Sequence, residues 1–562
     1  VNLREISFKI KTIMRRNALI CKSRFEIMKI NLRFGLLLSL LMIAACKKPK
    51  FDKIASTAWN PNLAIPLAYG TFDIYDIFTY HDTTDLVVID ETTGLIALIY
   101  RSDLLVATAE DFVSLGQFNQ NLLLDGSELN IPPTGSFTGS VTVSNQENLF
   151  VDVPMGVEIH SFHLKSGTMT LTVSTNLQHS VTSVITLPGM TINGNPIQQT
   201  LQLNYTGTVP HSATTTFNLS GAMMDCTVGN TTFNTLQVNI QNTVSGSGAN
   251  ISGNESINLN FTSNNMAFDL AYGYFGQQTV VDLQDSVLIK LFENGQGNGY
   301  FELTNPSLRL FVDNSLGVPI RFNLSNLRTI NAFNGNEFFM ENYPAIHDIN
   351  FPAILGVVVQ TLIEFNTSNT PNLVNVIAPV PQYLAFALSA QTNPNGPSAT
   401  LNFLQDTSKV KVRSELEMPL VGFAHGFGAK DTFPFNLGVQ AEEIESVMFR
   451  LIVDNGFPVK LNAQIRFMDE NYTPLFTAWP QPVQAVDAAL TNNEGVVYQR
   501  TVKMTDVTIE GDNLQLLQQA KYIEIEGTAK TIDAFSGHVV KVFDWYNIKV
   551  KLGMQIQAKF NI

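Results

Sequence analysis

Cysteine is nearly absent from this 562-residue chain, which has only Cys21, Cys46 and Cys226. Three cysteines so far apart argue against a disulfide scaffold, so stability has to come from packing. Charge is scarce too, at 15% Asp, Glu, Lys and Arg, and it is lopsided. Beyond residue 45 there are 25 basic and 46 acidic side chains, a net charge of about −21. With no basic stripe to displace counterions from phosphates, nucleic acid is not an expected partner. After residue 46 no apolar run reaches the roughly eighteen residues of a membrane-spanning helix. Catalytic signatures are also missing: there is no His-Glu-x-x-His, no Gly-x-Ser-x-Gly and no phosphate loop with its lysine.

Asn, Thr, Ser, Gly and Phe are plentiful, the composition of a β-rich protein that works outside the cytoplasm. Period-two alternation runs through 167–173, 200–205 and 257–261, and Asn-Gly, Gly-Asn and Pro steps punctuate it. Two helices are expected, one over Asp103–Leu115 capped by Ser102 and a short one over Leu514–Lys521. The fold class is all-β.

A repeat at domain scale organises the chain. Ser307–Asn314 leads into an apolar-Pro step at Val318-Pro319, and Val447–Asn455 leads into Phe457-Pro458. A weaker copy ends at Asn176. Tyr383–Thr392 follows Asn314 by 69 residues, and Tyr522–Thr531 follows Asn455 by 67. Units of about 140 residues have the size of β-sandwiches of immunoglobulin or fibronectin type. The expected boundaries are 59–262, 263–405 and 406–562, with an extra block near 75–145 in the first unit. Leu416–Leu420 echoes Leu63–Leu67, which suggests related opening strands. Asn is expected to end each strand by adopting a left-handed conformation, and Pro to delay the next strand's pairing. This pattern resembles late-embryogenesis-abundant type 2 sandwiches, some of which have proposed lipid or membrane roles. Ile548–Ile562 alternates almost without interruption and reads as a long closing strand bent at Gly553. A barrel strand ending near Phe560 is the other reading.

The amino-terminal region carries an address. Met28, Lys29 and Arg33 precede the apolar run Phe34–Ala45, which ends in Leu41-Met42-Ile43-Ala44-Ala45 and is followed by Cys46. This resembles a bacterial lipoprotein signal with its lipobox. The resemblance implies cleavage after Ala45 and acyl chains on Cys46, which is the expected lipid-attachment residue. Several acyl chains hold a protein on a membrane, at roughly 0.8 kcal/mol per buried CH₂. Residues 1–27 read as a leader upstream of a true start at Met28, 28–45 as the signal, and 46–58 as a lipidated tether. Lys47, Lys48, Lys50 and Lys53 in that tether would favour an anionic headgroup surface. Lys47 next to the anchor resembles an outer-membrane address.

No catalytic residue, metal site or cofactor is nominated by local sequence. His160 and His163 are the one close histidine pair, and i and i+3 on a strand point to opposite faces, so they would not share a metal unless a bulge intervened. Cys226 reads as a buried, inert thiol. Asp313, Asp454 and Asp469 read as turn residues rather than calcium ligands. Asp82-Thr83-Thr84 and Asp285-Ser286-Val287 look like bacterial O-glycan acceptors. Aromatic loops suggest ligand contacts at Tyr272, Tyr274, Phe423, Phe427, Tyr472 and Trp479, where exposed rings would stack on sugars. The expected function is a lipid-anchored, non-catalytic interaction, adhesion or structural module of the cell envelope, its partners the membrane and envelope proteins or glycans. The alternatives are a glycan-capture protein, an envelope lipid-binding protein with a continuous apolar cavity, and a hydrolase with convergent acids or a Ser/His pair.

Overall fold

Residues 62–74, 87–113, 115, 119–131, 134–229, 231–289, 299–331, 334–435 and 444–558 are described by the computed structural model. The expectations for the leader, the signal, Cys46, the tether, Asp82-Thr83-Thr84 and Phe560 fall outside these residues. Alternating burial produces the strands: Glu158–Thr175, Ser180–Ile192 and Lys409–Pro419 each send every second side chain inward over most of their length. The protein is all-β.

The strands form three sandwiches of one topology. In the first, one sheet runs Asn119–Asp125, Ser256–Tyr274, Glu158–Thr175, His211–Asn218. Facing it are Ser140–Phe150, Thr235–Ser245, Ser180–Ile192 and Asn195–Leu203. Met223–Asp225 pairs with both sheets and joins them along one side. The second sandwich repeats this order as Ile96–Thr108, Lys409–Pro419, Ser307–Asn314, Val359–Asn366 against Thr279–Leu288, Tyr383–Thr392, Ile320–Asn331, Asn336–Phe339. The third repeats it again as Asn62–Phe72, Ile548–Ala558, Ile444–Asn455, Thr501–Glu510 against Phe427–Pro434, Tyr522–Thr531, Val459–Met468, Pro474–Thr477.

The first strand of each sandwich comes from the opening 125 residues, in reverse order. Asn62–Phe72 joins the third sandwich, Ile96–Thr108 the second and Asn119–Asp125 the first. The pairings are therefore nested, the outermost closing with Ile548–Ala558. This corrects the reading of 75–145 as an extra block of the first unit, because its strands serve different sandwiches. The boundaries at 262 and 405 do not coincide with breaks in pairing either. Residue 262 lies inside Ser256–Tyr274, and Lys409–Pro419 pairs with Ser307–Asn314 of the second sandwich. Leu416–Leu420 closes the second sandwich while Leu63–Leu67 opens the third, so the echo does not mark equivalent strands.

The expected helix over Asp103–Leu115 is a strand through Thr108, followed by a single 3-10 turn at Ala109–Asp111. A β-bulge explains the misreading. Asp103 pairs with Arg413 and Leu105 with Val412, so Leu104 is an extra residue that breaks the alternation. The second helix is present as Asp512–Gln519, with Leu514 and Leu517 buried in the third core.

Apolar side chains from both sheets fill each sandwich. In the second, Leu308, Leu310 and Val412 meet Phe322, Leu384 and Phe386 and leave only about 20 Å³ between the layers. Phe162, Phe261, Phe275, Phe322 and Phe365 are among the largest wholly buried side chains. Burial of such a side chain contributes about 1.5–3 kcal/mol.

Asn314 and Asn455 are fully buried at equivalent strand ends. Neither has positive φ, so the left-handed reading of these two residues is corrected. They act through their side chains. Asn314 Oδ1 accepts the Leu316 N–H (2.8 Å), and its Nδ2 donates to the Asn350 carbonyl (2.9 Å). Asn455 Oδ1 accepts the Phe457 N–H (2.9 Å), and its Nδ2 donates to the Val459 and Asp487 carbonyls (2.8 and 2.9 Å). In the first sandwich the equivalent residue is Thr175, not Asn176: Thr175 Oγ1 accepts the Leu177 N–H (3.1 Å) and donates to the Ser256 carbonyl (2.7 Å). Pro319 and Pro458 stand just before the next strands, and their carbonyls accept the N–H groups of Asn393 and Ile532.

The sandwiches meet end to end. Call the end holding Thr175, Asn314 or Asn455 the upper one. Beyond the lower end of the first, Leu270–Gly273 pairs with Asn402–Gln405, whose Phe403 bridges to Gly317 at the upper end of the second. At the lower end of the second, Ile96 and Leu420 exchange backbone bonds with Val542. Ile96 packs there with Ile74, Phe457, Phe543 and Tyr546, at the upper end of the third. Asn62 and Ile556 thus lie at the lower end of the third sandwich. We expect Asn314→Ala and Asn455→Ala each to cost about 2–3 kcal/mol, since each strands buried backbone groups. Urea unfolding midpoints that stay put in both variants would refute the assigned role.

Candidate functional site

The predicted aromatics do not converge. Tyr272 and Tyr274 lie in strand Ser256–Tyr274 and Phe423 in strand Val421–His425, not at loop tips. The two strands are equivalent at their glycines. A β-carbon on Gly273 would run into the Glu158 carbonyl oxygen, and one on Gly422 into that of Glu302. Backbone contact, not ligand access, explains the Gly-aromatic pattern. Tyr272 is half-buried and tilted against Phe403, with ring centroids 6.4 Å apart. Tyr274 is half-buried beside Glu158, and burial followed by that charge pushes its phenol up. Phe423 is half-buried and meets Tyr300, which stacks on His425 at 5.3 Å; His425 in turn meets Phe535 at 4.8 Å. Phe427 begins a strand that pairs with Tyr522–Thr531. Trp479 is half-buried against the third core, and its carbonyl accepts from Gln464. Tyr472 is 55% exposed and stacks on Tyr522 at 4.3 Å in the turn that Asp469 caps.

Hydrogen bonding accounts for the other polar candidates. His163 pairs with Asp269 at 2.5 Å, whereas His160 stacks on Phe233 at 4.5 Å; a β-bulge at His160 breaks the alternation, which corrects the expected opposite-face placement. Asp313 receives Gln360 and Arg413, and Asp454 receives Arg500, so both carboxylates serve arginine pairs. Asp285 accepts the Ser286 N–H, on an exposed part of its strand. Ser247 and His179 sit 3.1 Å apart, a pairing the sequence did not reveal. The Ser247 hydroxyl, however, donates to the Gln178 carbonyl at 2.5 Å, and His179 Nδ1 accepts the Ser247 backbone N–H. The hydroxyl proton is thus engaged by a carbonyl and the imidazole lone pair by an amide, an arrangement of a turn and not of an activated nucleophile. Burial holds the His179 imidazole below its ordinary range. Among the described residues no three His, Cys, Asp or Glu side chains cluster in a way that could hold a metal. None of their helices is long and apolar enough to cross a membrane, a statement that leaves strands aside.

The outward faces differ between sandwiches. At one position of the first-listed sheet, the first sandwich pairs Thr170 with Thr216, the second Arg309 with Glu364 and the third Arg450 with Asp506. The second carries a wider network: Arg309 also bonds Glu415 and Glu417, Glu415 bonds Arg101, and Lys411 bonds Asp103. A shallow groove of about 410 Å³ runs over Arg101, Phe311 and Arg413. In the third sandwich, burial alone would push the Glu524 carboxyl up, yet bonds from Lys430 and Arg466 hold it below its ordinary range.

No family profile matches the chain, and no curated protein matches it. Among solved structures, a protein of Parabacteroides distasonis assigned as secreted shares 15% identity, covering 52% of this chain and 84% of its own, with a TM-score of 0.28. The VP2 subviral particle of infectious bursal disease virus shares 9% identity over 79% of this chain and 80% of its own, with a TM-score of 0.11. A triple jelly-roll protein of an archaeal virus shares 9% over 76% and 91%, also at 0.11. At these scores the likenesses carry no functional argument.

A carboxyl held low stabilises the fold above its ordinary value of 4.5, and that stability is lost as pH falls through the depressed folded value. Glu524→Gln should therefore cost stability at neutral pH, with the gap to the native chain closing as pH falls below 4.5 through the depressed folded value. Urea midpoints across that range check it. Cys226 is wholly buried, and burial followed by Asp225 pushes its thiol up. Peptide mapping after alkylation should find Cys226 unlabelled in the native chain and labelled in denaturant.

Proposed function

We propose that this protein is a non-catalytic envelope module, exported and lipid-anchored through Cys46, that holds its first sandwich away from the membrane. The observation that carries this reading is the nested topology. Asn62 stands at the lower end of the third sandwich, sixteen residues after Cys46, and the first sandwich is two sandwiches away. An anchor at that end leaves the first sandwich outermost. The lipobox-like sequence and the lysines after Cys46 support the membrane address, with Lys47 favouring the outer membrane.

The described chemistry is that of a scaffold. Arg309, Arg450 and Arg466 pair with carboxylates across strands, the Ser247–His179 contact is spent on backbone groups, and the cavity between the layers of the second sandwich has room for about one water. Glycan capture is the second reading, and among the predicted rings whose side chains are described Tyr472 is the one whose accessibility favours it.

Intact-cell proteolysis and membrane fractionation of the native chain against Cys46→Ala test the anchor. The native chain should stay with membranes and the variant should be released. Equal retention of both would mean another mode of attachment and would overturn the reading.

A further inference from the structure

We propose that the outward face of the first sandwich's sheet Ser140–Phe150, Thr235–Ser245, Ser180–Ile192, Asn195–Leu203 binds an uncharged polysaccharide. The inference rests on the display reading above and names the partner class.

The register sets out the face row by row. Gln146, Asn239, Thr186 and Gln198 cross the four strands in one line. Ser144, Gln241, Val184 and Thr200 form the next, and Thr142, Thr243, Thr182 and Gln202 the third. Eleven of these twelve positions carry a hydroxyl or carboxamide, and none is ionisable. Strands about 4.8 Å apart and residues two apart along each strand, about 6.7 Å, make this a regular grid roughly 14 Å wide. A groove of about 480 Å³ crosses its first two rows.

Three properties point to a neutral sugar chain. A carboxamide offers donor and acceptor together, which matches a hydroxyl that both gives and takes a hydrogen bond. The side-chain amides of Gln146 and Gln241 make no hydrogen bond within the described chain, so both ends of each are free for a ligand. Val184 and the glutamine methylenes offer an apolar strip for the C–H face of a sugar ring. The charge balance then selects among polysaccharides. A face with no cation, on a chain of net charge about −21 beyond residue 45, gives an acidic polymer nothing to pair with.

The other two sandwiches provide an internal contrast. The same sheet carries the Arg321–Asp348 pair in the second, and Lys430, Arg466, Glu524 and Glu526 in the third. The fold therefore accepts ion pairs on this sheet, and their absence from the outermost sandwich is specific to it.

The test uses the full chain extracted from membranes in neutral detergent, run in affinity electrophoresis. The gels contain dextran, amylopectin, mannan, xylan or mixed-linkage β-glucan, with alginate and polygalacturonate as acidic polymers. At least one neutral polymer should retard the chain, equally at low and high salt because no charge is involved. Gln146→Ala combined with Asn239→Ala and Gln241→Ala should weaken that binding about tenfold or more, the loss of ~1.4 kcal/mol or more. The thermal midpoint should not move, since all three side chains face solvent. Retardation by no neutral polymer, by acidic polymers alone, or equally by native chain and triple variant would overturn the proposal. None of these outcomes bears on the anchor, because the detergent-extracted chain is assayed without a membrane.

Discussion

The structure depends on strand pairing between the two extremes of the sequence. Each sandwich has one sheet whose first strand is supplied by the opening 125 residues and whose neighbour arrives much later. Arg101 and Glu415, joined by a hydrogen bond, are 314 residues apart. A sheet missing that strand would leave the last strand's backbone groups unpaired and one side of the apolar layer open. The first sandwich closes within 119–274, the second needs 96–419 and the third needs 62–558. The stretch of chain to be closed thus grows from the innermost pairing outward, and the entropy of loop closure grows with it.

Buried side-chain amides regularise this plan. At a strand end the backbone turns from one sheet to the other, and its N–H and C=O groups lose their ladder partners inside the protein. Asn314 and Asn455 supply one acceptor and donors in a single side chain, which is why asparagine recurs there. Thr175 supplies the same with a hydroxyl, so the turn survives where asparagine is absent. Local chemistry thus builds one turn three times, while surface chemistry diverges. Threonine pairs face outward from the first sandwich, and arginine–carboxylate pairs take that position in the other two.

Much of the fold was legible in the residues. Alternation gave the strands, and Asn314, Asn455, Tyr383 and Tyr522 gave a repeat that strand order bears out in the second and third sandwiches. The short helix observed over Asp512–Gln519 was expected as a short turn over Leu514–Lys521. Asp103–Leu115 was misread because a bulge at Leu104 put two apolar residues side by side and imitated a helix. The candidate site was much less legible. The Gly-aromatic segments attracted attention as ligand loops, yet Gly273 and Gly422 are there for close backbone contact, and most of their aromatic neighbours are half-buried. The polar grid went unnoticed because its residues come from four strands spanning 140–203 and 235–245, ordinary in each strand and unusual only when registered side by side.

From sequence alone came the all-β class, the apolar-inward alternation, the repeat and the resemblance of the amino-terminal run to a lipoprotein signal. Each is written in local spacing, and spacing dictates which way a side chain points. Tertiary structure alone decided which strands are neighbours, where the sandwich limits fall and which polar residues share a face. Backbone hydrogen bonds are the same whatever the side chain, so an early strand fits many partners on paper. Its partner is selected only when burial, turn geometry and the packing of both sheets are satisfied together.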